Sequence, residues 1–331
     1  MVATEQFEHD QIAVNGIAVH TVSAGEGPLV VFCHGFPESW YSWRHQLPAV
    51  AEAGYRAMAL DMRGYGETSA PEAVDAYSMS HIVADVVGVV AAAGAEQAVV
   101  VGHDWGAMVA WYCALMRPDV FRAVAAISVP YVPPIPALPE GVTMNDVMRQ
   151  VAGEREYYRL FFQEPGVAEA DLAADVDHSL RSFLYTISGD IVADGVHAVG
   201  WDGYFPKGQS FVEILVRPDV LPPWLTDADL AFYVSEFSRT GFRGGLNWYR
   251  NIKALPTILG PFVGAAIEQP ALYLGGELDV IAGNTPETLA DLPAQVPGLR
   301  DIKMFPGAGH WLQQERAPEV NEQLVGFLKS L

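Results

Sequence analysis

Short apolar runs ending in polar or glycine-rich loops alternate along the chain with longer stretches of helical spacing, the pattern of a parallel sheet wrapped by helices. Leu29–Cys33, Arg56–Leu60 and residues 98–101 read as strands in continuous apolar blocks, because a sheet covered on both faces offers no polar side. Between the last two, residues 79–93 carry Ile82, Val83, Val86, Val87, Val89 and Val90 at helical spacing and meet Gly94 as a stop signal. That stretch predicts a crossover helix. A further strand is expected over 124–129, followed by Pro130, Pro133, Pro134, Pro136 and Pro139, which read as a stiff linker. From about Tyr131 to Pro256 the strand rhythm stops, and helices with long loops rich in Tyr, Phe and Trp are expected; 189–209 has no pattern that places it. Strands resume over 271–274 and 302–305, and a helix near 318–328 closes the chain. The expected organisation is an α/β core over 1–130, an inserted helical unit over 131–256, and the core resumed over 257–331.

Composition narrows the class. With 331 residues, half of them apolar and 11% aromatic, the chain can bury a large core, which excludes a disordered or fibrous state. Forty acidic against nineteen basic side chains leave a net charge of −21, so nucleic acid and anionic membrane surfaces are not expected partners. Cys33 and Cys113 are too few for a disulfide framework or zinc site and read as small core residues in a reducing compartment. Residues 1–6 lack the basic start and apolar run of an export signal, and the greasiest stretch, 86–95, is about half the ~20 residues a membrane span needs. A soluble, cytoplasmic protein is expected.

In parallel sheets the reactive groups gather in the loops at the carboxyl ends of strands. Gly102-His103-Asp104-Trp105-Gly106 joins a strand to the helical stretch 107–115, and small residues around a central polar one fit a nucleophile elbow, which here presents Asp104. The helix N-terminus favours its ionised form; the alternative is an aspartate that merely caps that helix. His310, in Gly307-Ala308-Gly309-His310-Trp311, and Asp279, in Gly275-Gly276-Glu277-Leu278-Asp279, each follow a strand. Each alone is weak, but the order nucleophile, acid, histidine is that of the α/β-hydrolase fold. Glu277 is the rival acid. After the first buried strand, His34-Gly35-Phe36-Pro37 is placed to supply one backbone N–H of an oxyanion hole, from Phe36, with the other from Trp105. His34 and Pro37 read as shaping this loop. No group of His, Cys, Asp or Glu has metal-ligand spacing, and no cofactor is implied.

With these motifs the chain resembles the soluble α/β-hydrolase-fold epoxide hydrolases. Tyr157-Tyr158-Arg159-Leu160-Phe161-Phe162-Gln163-Glu164-Pro165-Gly166 and Gly241-Phe242-Arg243-Gly244-Gly245-Leu246-Asn247-Trp248-Tyr249-Arg250-Asn251 are similar to the two cap segments that carry that family's ring-opening tyrosines. The resemblance implies Tyr158 and Tyr249 in that role, a helical cap, a covalent ester on Asp104, water activation by His310 with Asp279, a small apolar epoxide as substrate, and a possible homodimer. Asp61-Met62-Arg63-Gly64-Tyr65-Gly66 falls within it as a structural loop. Haloalkane or haloacid dehalogenases share the Asp nucleophile, but a halide leaves without a proton, so the paired tyrosines and Phe36 favour the epoxide. Aspartate at 104 disfavours a serine esterase. A non-catalytic binding protein on the same fold is the reading of another class.

Overall fold

The computed structural model describes residues 7–136, 138–198 and 200–331; residues 1–6, read above for an export signal, lie outside them. Eight strands form the central sheet: β1 (Glu8–Val14), β2 (Ile17–Ala24), β3 (Leu29–Cys33), β4 (Arg56–Leu60), β5 (Ala98–His103), β6 (Phe121–Ile127), β7 (Ala271–Gly276) and β8 (Leu299–Phe305). Their spatial order is β1-β2-β4-β3-β5-β6-β7-β8. Strands β3 to β8 are mutually parallel, and β2 runs antiparallel to both neighbours.

β3 and β5 lie wholly out of solvent at the sheet's centre, which is why their sequences read as unbroken apolar blocks. The crossover helix spans Met79–Ala92, with Ile82, Val83, Val86, Val89 and Val90 facing inward; each such side chain contributes about 1.5–3 kcal/mol by leaving water. The closing helix is Ala317–Lys329. Cys33 and Cys113 are buried free thiols.

Two expectations need correction, and one hairpin was not anticipated. The strand expected over 124–129 begins and ends earlier, at Phe121–Ile127, because Ser128 leaves extended geometry with φ +75°. The hairpin β1–β2 offers no continuous apolar run: β1 is largely exposed, and β2 intersperses Ile17, Val19 and Val22 with buried His20, Thr21 and Ser23, the His20 ring meeting Asp61 at 2.7 Å. Its Asn15-Gly16 turn has both residues at positive φ, as a two-residue hairpin turn requires. The stretch between β6 and β7 is mostly helical, yet Arg155–Tyr157 pairs with Tyr204–Pro206 in a small antiparallel ladder. Strands of three residues are too short for periodicity to reveal. The stretch 189–209 holds that second strand and a turn of helix, Asp190–Ala193.

Candidate active site

β5 stops at His103, and helix Trp105–Met116 starts two residues later, so one residue must turn the chain. Asp104 does so at φ +53°, ψ −119°. The glycines on either side are required by space: a Cβ on Gly102 would lie 2.7 Å from Ala107 N, and one on Gly106 2.8 Å from the His34 carbonyl oxygen. The Asp104 carboxylate does not cap its helix. It points away, where Oδ1 accepts the Phe36 N–H at 2.9 Å and Oδ2 faces His310 Nε2 at 3.6 Å.

His310 follows β8 in a loop fixed by its own backbone, whose N–H donates to the Ile187 carbonyl at 2.9 Å. Its Nδ1 lies 3.0 and 3.1 Å from the two Asp279 oxygens. Asp279 is buried and Glu277 is exposed, so it is Asp279 that reaches the imidazole. Burial alone would make His310 harder to protonate; the carboxylates of Asp279 and Asp104 outweigh it and push its pKa up to about 10. Asp104 shows the converse: burial opposes its charge, but His310 and the Phe36 N–H hold its pKa below the ordinary value.

The loop after β3 brings Phe36 N–H to Asp104 and includes a cis Phe36–Pro37 bond. His34 braces it. Its Nδ1–H donates to the Gly35 carbonyl at 2.8 Å and its Nε2 accepts the Met62 N–H at 3.0 Å, which fixes the tautomer and joins this loop to the Asp61–Gly66 segment. Trp105 N–H, in the helix's first turn, makes no hydrogen bond among the described residues. The Phe36 ring meets Phe162, Phe183, Phe237, Phe242 and Tyr249 edge-on, seating the inserted segment on this loop.

Two elements of that segment bring in the tyrosines. Tyr158 opens the short helix Tyr158–Phe161 and Tyr249 lies in helix Arg243–Arg250, with ring centroids 6.0 Å apart. Both line, with Asp104, one cavity of about 250 Å³. Tyr157 instead stacks on Tyr204. The cavity wall is otherwise largely apolar, with Met108, Tyr112, Leu255 and Leu259 among its residues. Pro133, Pro134 and Ile135 also line it, so the proline-rich linker is part of the pocket.

Sequence reasoning missed five contributors. Ser128 was read as a strand residue; its Oγ donates to Asp279 Oδ2 at 2.6 Å and lies 3.1 Å from His310 Nδ1. Glu38 accepts the Gly35 N–H at 2.9 Å and meets His103 Nδ1 at 2.7 Å, while His103 Nε2 meets the His310 carbonyl oxygen at 2.7 Å. This buried pair ties three site loops together from behind. Glu315 accepts the N–H groups of Gly309, Trp311 and Gly189, flanking His310 and reaching the inserted segment. Arg159 donates from Nε to the Tyr158 hydroxyl at 2.9 Å. A polar residue at the end of an apolar strand was the one available signal for Ser128; the others act through tertiary contacts or, as for Arg159 beside Tyr158, through a side-chain direction that spacing does not encode.

An eight-stranded, mostly parallel sheet with an aspartate at the elbow and a histidine and acid after later strands defines an α/β hydrolase, and the family of the alpha/beta hydrolase fold matches residues 28–317. Epoxide hydrolase A of Mycobacterium tuberculosis is 42% identical over 97% of both chains, and epoxide hydrolase 1 of Siraitia grosvenorii is 39% identical over 98% of this chain and 99% of its own. The solved structure of an epoxide hydrolase from an endophytic Streptomyces superposes with a TM-score of 0.92 at 44% identity, covering 98% of this chain and 96% of its own. The chain belongs to the epoxide hydrolases of the α/β-hydrolase fold. No helix among the described residues is long and apolar enough to cross a membrane.

Proposed function

We propose that this epoxide hydrolase works through a covalent ester on Asp104. The observation that carries the reading is that a carboxylate kept ionised by His310 and the Phe36 N–H opens into the same apolar cavity as two phenols. An epoxide presents a saturated carbon and a poor alkoxide leaving group, so it needs a nucleophile already charged and an acid for the oxygen. Asp104 forms a bond to a ring carbon as the ring C–O bond breaks, and the departing oxygen takes a proton from Tyr158 or Tyr249. The segment 131–256 acts as a cap on the core of 1–130 and 257–331 by supplying both phenols.

Ester formation changes the electrostatics that the second step needs. At rest His310 is an imidazolium between two carboxylates. Alkylation neutralises Asp104, which removes one of them and makes His310 a better acid, so its proton passes through water to the tyrosine phenolate. Neutral His310, oriented by Asp279, then takes a proton from a water whose oxygen adds to the Asp104 carbonyl carbon. The N–H groups of Phe36 and Trp105 hold the oxyanion. Collapse expels the diol alkoxide, which collects the proton of the new acid hydroxyl, leaving carboxylate and imidazolium as at the start. The cavity's walls suit a mostly apolar epoxide.

The test is intact-mass analysis of His310→Gln with a reactive epoxide. The Asp104 peptide should gain the substrate's mass and keep it, and the same variant with both Tyr158→Phe and Tyr249→Phe should gain none. Absence of an adduct in His310→Gln would overturn the scheme.

A further inference from the structure

We propose that Arg159 positions Tyr158 and makes it, rather than Tyr249, the phenol that gives its proton to the epoxide oxygen. The inference rests on the two-phenol reading above and separates the two residues that reading leaves equivalent.

The two phenols differ in what stands behind them. Tyr158 Oη accepts the Arg159 Nε–H at 2.9 Å, which occupies a lone pair and leaves its own O–H free to point at a ligand. The Arg159 guanidinium lies 5.5 Å from the Tyr158 ring centroid and 5.8 Å from that of Tyr157. It makes no ion pair with a carboxylate among the described residues, and it lines the cavity beside Asp104. Its charge is therefore directed at the phenols. Tyr249 Oη has no hydrogen bond among the described residues, and its ring is walled by Phe36, Trp105 and Phe162.

An acid that loses its proton must have its conjugate base stabilised. Burial pushes both phenols above their ordinary range. For Tyr158 the Arg159 charge pulls the other way, against smaller upward pushes from Tyr157 and Asp104. For Tyr249 the next influence is the Asp104 carboxylate, which pushes further up, as do Tyr158 and Tyr65, with Arg159 only a distant relief. A phenolate formed at Tyr158 thus lies against a fixed cation through a charge-assisted bond, whereas one at Tyr249 lies among apolar rings. In ring opening the Tyr158 O–H bond breaks, the proton bonds to the ring oxygen, and the phenolate keeps the electron pair until the His310 proton refills it. Tyr249 orients the ring oxygen by its hydrogen bond and retains its proton.

The test is a pair of double-mutant cycles read on the rate of ester formation in single turnover with excess enzyme, by rapid quench and peptide mass. Tyr158→Phe should slow ester formation about ten- to hundredfold more than Tyr249→Phe, the range set by one hydrogen bond to a charged group. Arg159→Met should slow it by a similar factor alone, add little to Tyr158→Phe, and multiply fully with Tyr249→Phe. A general loosening of the cap would instead act alike with both tyrosines. Arg159→Lys, which keeps a cation without the planar Nε–H, should recover part of the rate. If both tyrosine variants slow the step but Arg159→Met multiplies equally with each, or Lys and Met are equivalent, the role of Arg159 is overturned and the two-phenol reading stands. If neither tyrosine variant slows ester formation, both fall.

Discussion

Replacing Gly35 with alanine should disable ring opening while leaving the protein folded. The added Cβ would lie 2.7 Å from Asp104 Cγ and nearer still to its Cβ and Oδ1. Ordinary carbon contacts are about 3.5–4.0 Å, so a shift of about 1 Å is forced. The loop resists moving: the Gly35 carbonyl is held by His34, the Gly35 N–H by Glu38, and His34 by the Met62 N–H. The Asp104 side chain therefore gives way. It loses the Phe36 N–H, a bond to a charged group worth about 1.5–3 kcal/mol, and misplacement of a reacting atom by about 1 Å costs about a hundredfold on its own. Ester formation should slow about a hundredfold or more in single turnover. Overpacking of about 1–3 kcal/mol in a chain of this length should lower the thermal midpoint by only a few degrees. Gly326→Ala, in the closing helix with no atom within 4 Å of the new methyl, is the control: it should leave ester formation unchanged and, by helix propensity, raise the thermal midpoint slightly. A folded Gly35→Ala enzyme forming ester within threefold of the parent rate would show that this contact does not set the position of Asp104.

Ser128→Ala removes the hydroxyl that donates to Asp279 and leaves Asp104 untouched, so ester formation should keep its rate while ester hydrolysis slows about five- to tenfold, the effect of one hydrogen bond. Rapid-quench measurement should find ester accumulating in steady state; equal hydrolysis rates would show that Asp279 holds His310 without help. Protein stability should carry the mark of His310. Its folded-state pKa is raised from 6.5 to about 10, so its contribution is fully present below about pH 6.5 and is lost as pH rises toward 10. Urea unfolding should show the parent losing stability relative to His310→Gln by up to about 1.4 kcal/mol per pH unit between pH 7 and 10. Parallel pH curves in that window would mean that the imidazolium is not held by its carboxylates.

Which parts of the molecule the sequence disclosed follows from how each is encoded. β3 and β5 are continuous apolar blocks because both their faces are covered, and Leu29–Cys33 is read to the residue. Asp104 is legible because a strained turn between a strand and a helix needs small neighbours, and Gly102 and Gly106 mark it. His310 and Asp279 are legible through their order along the chain, and Tyr158 and Tyr249 through resemblance alone, since an isolated tyrosine in a helical segment carries no pattern. Ser128, Glu38, His103, Glu315 and Arg159 act through contacts between residues far apart in sequence or through a side-chain direction. The Ser128–Asp279 bond spans 151 positions and the His103–His310 bond 207, distances over which hydropathy and spacing carry no information. β1 stayed hidden for the opposite reason: an exposed edge strand buries too little to leave an apolar trace.

The claim on which all of this depends is that the oxygen delivered to substrate carbon comes from Asp104 and is replaced afterwards from solvent. A single turnover in oxygen-18 water with enzyme in excess measures it directly. The heavy atom should appear in the Asp104 side chain, found in the peptide that carries it, while the first diol released holds only light oxygen. Heavy oxygen in that first diol, with Asp104 unlabelled, would mean that water attacks the epoxide directly and that no ester is formed.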